Sequence, residues 1–216
     1  MRCFSITALA TLIACQVLQG ISEAAIYGKR EQLINVLGVT MDDRQAIGTV
    51  AHLVVSLEDR DDHAGLAVQF KGTPGRFSHM AQTAVQQAIY RTARVAGLST
   101  DSWTVILSVP HPGVTIYGES LSAMVGLSVI ALAKGDFIPP DRVITGTVTP
   151  DGLIAPVGSL SLKVAAADAA HLRRVLVPDE LDITDDEWQT PFLMQVSPVR
   201  SISEAYQALT DQPLLP

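Results

Sequence analysis

The segment of residues 121–134, with the sequence LSAMVGLSVIALAK, is apolar on nearly every side. A helix of this composition has no polar face to turn toward water, so we expect it to be buried inside the domain. The other elements of the fold must therefore cover it.

The regions that flank this helix carry strand and helix patterns. Residues 34–39, 47–57 and 66–70 are rich in Val, Ile and Leu with turn clusters between them, which predicts consecutive strands paired as an antiparallel meander. The remaining patterns predict helices at 77–95, 160–170 and 202–209, and strands at 103–109, 143–148 and 174–178. Strands first and alternation afterwards indicate an α+β or mixed α/β fold.

Composition excludes several classes of function. The chain has 216 residues and a formal net charge of -7, and its 15 Lys and Arg residues are scattered, so it lacks the clustered positive charge that binds phosphates. Both cysteines, Cys3 and Cys15, lie in the first apolar stretch, and the five histidines show no close spacing. We therefore predict no nucleic-acid partner, no metal site and no cofactor.

The amino terminus has the pattern of a targeting segment. Met1-Arg2 supplies a positive start, a mostly apolar run follows, and Ser22-Glu23-Ala24 is a small-x-small cleavage site. This pattern predicts a signal peptide at residues 1–24 and an exported, periplasmic or secreted domain at residues 25–216. Two alternatives stay open, namely a lipoprotein box that would attach a lipid anchor to Cys15, and a buried N-terminal helix.

A candidate nucleophile precedes the apolar helix. Gly118-Glu119-Ser120 stands where the loop after the 103–109 strand turns into that helix, so Ser120 is predicted to lie at a helix N-terminus. Unsatisfied N–H groups and the positive end of the helix dipole would there stabilise an oxyanion formed by serine attack on a carbonyl. The alternative is that Ser120 or Glu119 only caps the helix.

A serine nucleophile needs a base, and Lys163 is the candidate. It is a lone cation in the predicted 160–170 helix, among small and apolar neighbours. A lysine held in such surroundings loses hydration of its charged form, so its pKa falls and the neutral amine can accept a hydroxyl proton. The alternative is that the long side chain reaches the solvent and keeps its charge there.

Together the two segments resemble the proteolytic domain of Lon-type (family S16) serine proteases. Gly118-Glu119-Ser120 is similar to the Gly-Pro-Ser or Gly-Asp-Ser of the family nucleophile, and Lys163 follows Ser120 by 43 positions, the family's usual separation. A turn similar to the family's, DGLIAPVG, lies at 151–158 before the lysine helix. Further similar segments lie at 109–110, 113, 145–146, 175–178 and 196–209. The resemblance covers roughly residues 32–211.

The resemblance implies a fold and a site. The fold is the Lon proteolytic-domain fold, similar to ribosomal protein S5 domain 2. Ser120 would attack the peptide carbonyl, Lys163 would accept its proton, and Thr145 matches the family threonine that hydrogen-bonds the lysine. The backbone N–H of Ser120, with that of a neighbour, would form the oxyanion hole.

Three residues depart from the family pattern. Leu121 stands where the family mostly has Ala, which predicts a narrower or reshaped pocket beside the nucleophile. Glu119 replaces the Pro or Asp before the serine, and Tyr117 stands where an acid is common. These differences bear on substrate preference more than on the dyad.

No GxxxxGK[ST] loop occurs in the sequence, so we expect no ATPase module. The expected activity is that of a free-standing, ATP-independent serine endopeptidase that cleaves unfolded or flexible polypeptide segments. Related proteases form rings, so a homo-oligomer is also consistent with the resemblance.

Two other functions stay open. In the first, the domain keeps the Lon-like fold but serves as an inactive binding or assembly module, with Leu121 as its signal. In the second, Ser120 belongs to a degenerate nucleophile elbow of an α/β-hydrolase, with Asp168 or Asp179 and His171 as partners. A pairing of Ser120 with His111 is a weaker variant of serine catalysis.

Overall fold

The computed structural model describes residues 29–180 and 190–215. The predicted signal peptide at residues 1–24 and the predicted lipid site at Cys15 lie outside the described residues. No helix of the described part is long and apolar enough to span a membrane.

Helices and strands alternate along the described chain after an opening hairpin, in the mixed α+β arrangement that the sequence predicts. The helices are α1 (His79–Val95), α2 (Ser122–Lys134), α3 (Leu160–Ala169) and α4 (Ile202–Thr210). The strands are β1 (Arg30–Asp42), β2 (Gln45–Asp59), β3 (Ala67–Phe70), β4 (Arg76–Phe77), β5 (Trp103–Ser108), β6 (Thr115–Ile116), β7 (Arg142–Ile144), β8 (Thr147–Val148), β9 (Ile154–Ala155), β10 (Arg174–Pro178) and β11 (Gln195–Val199).

Helix α2 lies in the interior, as its composition predicts. Its residues from Ser122 to Leu132 are all buried. It packs against β1 and β2 on one side and against the buried face of α1 on another. The two helices approach closely at Gly126, where a Cβ would lie 3.0 Å from the Cγ2 atom of Thr92.

The first sheet has the strand order β1-β2-β5-β3. The pairs β1–β2 and β2–β5 are antiparallel, whereas β3 runs parallel to β5. The predicted three-strand meander is therefore wrong at its third strand. The reason is the connection before β3: Arg60 N donates to Ser102 O and Gly65 N donates to Asp101 O, which carries the chain across the end of β5.

The second sheet has the order β11-β10-β7, and all of its pairs are parallel. Helix α3 lies in the crossover between β7 and β10, a connection that parallel strands require. The predicted strand at 143–148 is wrong as a single element, since it breaks at Thr145 and Gly146. Thr145 N still donates to Leu176 O in β10, but Gly146 exchanges hydrogen bonds with residues 120 and 123 at the start of α2.

Four strands were not predicted from the sequence, namely β4, β6, β9 and β11. The first three have two residues each, too few to show an alternating pattern. Strand β11 contains Pro198 and lies at the edge of its sheet, where the missing N–H of a proline is tolerated.

Candidate active site

Ser120 lies immediately before α2 in a position that leaves its side chain available. The N-cap of α2 is Leu121, and no side chain forms a capping hydrogen bond there. The interpretation of Ser120 or Glu119 as a simple cap is therefore wrong. Among the described residues, no hydrogen bond is made by the Ser120 hydroxyl, and its residue is partly exposed.

Backbone hydrogen bonds fix the position of Ser120. Gly146 N donates to Ser120 O over 2.9 Å, and Ala123 N donates to Gly146 O over 3.2 Å. The N–H groups of Ser120 and Leu121 have no hydrogen-bond partner in the described part of the chain. Two donors are thus left at the start of a buried helix, beside a free hydroxyl, which is the chemistry of an oxyanion site.

Gly146 is required by this arrangement. A Cβ at position 146 would lie 2.6 Å from the Cγ2 atom of Ile154, closer than packed carbon atoms approach. The absence of a side chain at Gly146 therefore lets this residue lie against β9. The Gly146 backbone at the same time forms hydrogen bonds with Ser120 and Ala123 at the start of α2.

Ser120 opens into a cleft of about 540 Å³, called the first cleft below. Ser120, Leu121 and Tyr117 line one side, and residues 36–40 and 49–52 of the β1–β2 hairpin line the other. Leu121 is buried and contributes an apolar wall, and Tyr117 is exposed at the mouth. None of the residues that line this cleft is an Asp or a Glu.

Lys163 lies on the buried face of α3. Its relative exposure is 5%, and the same face carries Leu160, Val164 and Ala167, spaced as one helical stripe. The interpretation of a side chain that extends into solvent is therefore wrong. A lysine within an apolar stripe has lost most of the water that stabilises its charge.

The β1–β2 hairpin links α3 to the first cleft. Gly48 of β2 packs against the Leu162 carbonyl, and a Cβ at Gly48 would lie 1.9 Å from that oxygen. The next residues of β2, 49–52, line the first cleft opposite Ser120. Gly48, which packs against α3 at Leu162, and the wall that faces Ser120 are therefore parts of one continuous strand.

Thr145 lies between the two segments, at the end of β7. Its side chain is completely buried, and its hydroxyl has no hydrogen-bond partner among the described residues. The hydrogen bond to Lys163 that the resemblance implies is therefore absent from this structure. A buried hydroxyl without a partner costs about 1–3 kcal/mol.

Glu119 faces away from the first cleft. Its exposed side chain lines a second cleft of about 530 Å³, together with Ser122, one face of α1 and residues 147–150. The turn of residues 119–122 therefore separates two clefts, with Ser120 open to the first.

Two histidines line the first cleft, and sequence reasoning gave His52 no role there. The rings of His52 and His111 have centroids 5.7 Å apart. The Nδ1 atom of His52 lies 2.8 Å from the Oδ1 atom of Asn35, whose amide donates to Pro140 O. His52 shows no sequence signal except its place in a strand pattern, and His111 was considered only as a partner of Ser120.

The residues of the α/β-hydrolase alternative do not form a triad. His171 follows α3 and donates its backbone N–H to Asp168 O, and Asp179 lies 3.6 Å from the Arg200 guanidinium. In residues 29–180 and 190–215, no group of three or more His, Cys, Asp or Glu side chains is placed to hold a metal ion.

Comparison with known protein families decides the assignment of the fold. The sequence model of the Lon protease (S16) C-terminal proteolytic domain matches residues 76–209, which is more than half of the chain. The chain belongs to this family. The match contains Ser120, Thr145 and Lys163, and it begins after the β1–β2 hairpin, so it is shorter than the predicted 32–211. The α/β-hydrolase alternative is wrong.

Individual Lon proteases are similar to parts of this Lon-type chain. The Lon protease of Phenylobacterium zucineum is 32% identical over 104 residues, which cover 46% of this chain and 13% of that protein. The archaeal Lon protease of Archaeoglobus fulgidus is 25% identical over 134 residues, 62% of this chain and 22% of that protein. The human peroxisomal Lon protease homolog 2 is 33% identical over 78 residues, which cover 36% of this chain and 9% of that protein. The matched segments span less than a quarter of these relatives. At the level of the family, the chain is a serine peptidase domain of Lon type.

Proposed function

We propose that this chain is an ATP-independent serine endopeptidase in which Ser120 and Lys163 form the catalytic dyad. The observation that carries the proposal is the start of α2, where a serine hydroxyl and two backbone N–H groups without partners among the described residues stand beside a 540 Å³ cleft in a Lon-type domain. Burial of Lys163 in α3 supports its use as a base.

The chemistry follows from these groups. The Ser120 Oγ atom attacks the substrate carbonyl carbon while the neutral Lys163 amine takes its proton. The N–H groups of Ser120 and Leu121 donate to the oxyanion. Lys163 then gives its proton to the departing nitrogen as the C–N bond breaks. Water hydrolyses the resulting acyl-enzyme, with Lys163 acting again as the base.

Thr145 is proposed as a positioning residue for Lys163. Its role comes from the resemblance, and its buried hydroxyl without a partner supports it, because such a group is available to accept a hydrogen bond when the lysine becomes protonated. Formation of that bond during the reaction would favour proton uptake by Lys163.

Unfolded or flexible segments are the proposed substrates. Residues 36–40 of β1 line the first cleft, and β1 is an edge strand of its sheet. An extended polypeptide has free backbone groups that can lie along such an edge, whereas a folded protein has few.

Export directed by residues 1–24 and assembly into a homo-oligomer remain parts of the proposal. Sequencing the N-terminus of the protein recovered outside the cytoplasm tests the first, because cleavage at the predicted site leaves Ala25 as the first residue. A lipid on Cys15 would instead give a protein that partitions into detergent. Light scattering of the purified chain tests the assembly into a homo-oligomer.

Cleavage of an unfolded protein substrate without ATP tests the central proposal. We expect the parent chain to cut it, and Ser120→Ala and Lys163→Ala to lose about 1,000-fold or more of the rate. Lys163→Met separates chemistry from packing, since it keeps most of the buried volume. Ser128→Ala and Lys134→Ala are matched controls on α2 and should keep the parent rate.

One outcome would favour the second candidate function. If the parent is inert and an acylating probe leaves Ser120 unmodified, the peptidase proposal fails and an inactive binding or assembly module replaces it. The observation behind this alternative is the apolar wall that Leu121 adds beside Ser120 in the first cleft.

A further inference from the structure

The second cleft runs along α1 and ends beside the candidate nucleophile. Its α1 wall is one helical stripe of side chains, and its opposite wall is residues 147–150. The α1 residues of this wall are His79, Met80, Thr83, Ala84, Gln87 and Arg91. Glu119 and Ser122 close the end nearest Ser120, so only the turn of residues 119–122 separates the second cleft from the first.

Hydrogen bonds hold the two walls of the second cleft together. The Arg91 guanidinium donates to Val148 O, and the Arg94 guanidinium donates to Pro150 O. The carbonyl groups of this wall are therefore fixed to α1, and the cleft is formed before any ligand enters. A polypeptide that crosses Ser120 would have one part in each preformed cleft.

The charges of the two clefts differ. Glu119 gives the second cleft a carboxylate next to Ser120, whereas no Asp or Glu lines the first. Hydrolysis of a peptide bond creates a new amino group only on the leaving side, and with a pKa of about 8 this group is cationic near neutral pH. A carboxylate there attracts the new ammonium group by a charge-assisted hydrogen bond.

We propose that the second cleft binds the leaving-group side of the polypeptide substrate, with Glu119 as the residue that receives the new amino terminus. This inference rests on the proposed function. The scissile C–N bond breaks, Lys163 gives one proton to the nitrogen, and the released amine takes a second proton from water. The resulting ammonium group then pairs with the Glu119 carboxylate. The acyl side stays in the first cleft, attached to Ser120.

Two reporters test this orientation. One is a peptide with four residues on each side of the scissile bond, and the other has the same four residues on the acyl side but only a small fluorogenic amine as leaving group. The measured quantity is the ratio of kcat/KM for the two-sided reporter to kcat/KM for the one-sided reporter. Contacts in the second cleft can change only the numerator.

Tryptophan substitutions of three exposed or half-exposed residues separate the clefts. Thr83→Trp fills the second cleft and should lower the ratio about tenfold. Thr49→Trp fills the first cleft and should lower both kcat/KM values together, so that the ratio stays within about twofold of the parent. Gln86→Trp adds the same side chain to α1 outside both clefts and should leave the ratio at the parent value.

A ratio that Thr83→Trp leaves unchanged would overturn the inference, and so would a ratio that falls with Thr49→Trp instead. If neither reporter is cleaved and an acylating probe does not modify Ser120, the proposed function and the inference fall together. Cleavage of both reporters with the wrong pattern of ratios overturns the inference alone.

The role of Glu119 has its own readout. The leaving-side product peptide should inhibit about two- to fivefold more strongly with a free amino terminus than with an acetylated one, as expected for an exposed ion pair. Glu119→Gln should remove this difference, and Glu119→Asp should restore part of it. An equal preference in the parent and in Glu119→Gln would contradict the assignment.

Discussion

Serines stand at or next to the start of all four described helices, but the structure uses them in two ways. Ser78 accepts a hydrogen bond from Ala81 N and caps α1, and Ser201 accepts one from Glu204 N and caps α4. Helices α2 and α3 have no side-chain cap, although Ser120 precedes the first and Ser159 is the N-cap residue of the second.

The two uncapped helices are those that carry Ser120 and Lys163. A serine cap stabilises a helix by about 1 kcal/mol, so α2 and α3 forgo a contribution that α1 and α4 have. Helix α2 offsets the loss by the burial of all its residues from Ser122 to Leu132. The difference agrees with the proposed reaction, in which the N–H donors at the start of α2 and the Ser120 hydroxyl are used for catalysis rather than for capping.

Removal of the Ser120 hydroxyl should have the strongest effect on activity. Ser120→Ala should abolish peptide cleavage, a loss of about 1,000-fold or more, while the free energy of unfolding changes by less than about 0.5 kcal/mol, because no capping bond is lost. Urea denaturation and the cleavage assay measure the two quantities. A clear destabilisation would show that Ser120 acts as a cap in solution.

A substitution at Gly146 should affect stability and activity together. In Gly146→Ala the new Cβ meets the Cγ2 atom of Ile154 at 2.6 Å, and we expect destabilisation of about 1–3 kcal/mol. Because Gly146 N holds the Ser120 carbonyl, acylation should also slow, by about tenfold for a misplacement below 1 Å.

Gly72→Ala is the control for this prediction, since a Cβ at position 72 meets no atom within 4 Å. Rapid mixing with an acylating probe measures the acylation step alone. If Gly146→Ala is destabilised but acylates at the parent rate, the bond from Gly146 to Ser120 does not position the nucleophile.

Removing the cap of α4 should give the reverse of the Ser120 result. Ser201→Ala removes the hydroxyl that accepts a hydrogen bond from Glu204 N, so only the other hydrogen bond of the capping box can remain. We expect about 1 kcal/mol of destabilisation, or about 2–4 °C in Tm, with unchanged cleavage. A loss of activity without a loss of stability would remove the distinction between the two classes of helix start.

The smallest expected effect is a pH dependence at the other end of α4. The Arg142 guanidinium hydrogen-bonds Asp211 at 2.5 Å and lowers the pKa of that carboxyl below its ordinary value of 3.8. The folded pKa lies below the unfolded one, so the stabilisation is present above about pH 4 and is lost as the pH falls through the folded pKa.

Asp211→Asn should therefore lower the free energy of unfolding slightly at pH 7 and hardly at all at pH 2. Thermal unfolding at several pH values, compared with Asp168→Asn on α3 as control, measures this difference. A difference between the parent and Asp211→Asn that grows toward acid pH would contradict the sign of the pKa shift.

Local patterns in the sequence were sufficient to predict the helices and strands whose partners are close in sequence or whose residues are mostly buried. The α2 helix and the β10 strand follow from apolar composition alone. The break at Gly146 could not be predicted, because the segment VITGTV has a strand pattern and its interrupting hydrogen bonds go to residues more than twenty positions away. The pairing of β3 likewise depends on bonds between the 60–65 loop and residues 101–102.

The candidate site divides in the same way. Ser120 and Lys163 could be proposed from their motifs and spacing. The inward direction of the lysine could not, since its small and apolar neighbours left both a buried and a solvent-exposed side chain open. The two clefts could not be predicted, since their walls come from a hairpin, a helix and loops that only the tertiary fold brings together. The positions of His52 in the first cleft and of Glu119 in the second could not be predicted for the same reason.

Labelling of the protein by an acylating probe, followed by intact-mass and peptide mapping, shows whether Ser120 is the nucleophile and Lys163 its base. We predict a single adduct on Ser120, a rate that falls about 100-fold or more in Lys163→Met, and a parent rate in Ser201→Ala. Labelling of Lys163→Met at the parent rate, or an adduct on another residue, would contradict the dyad.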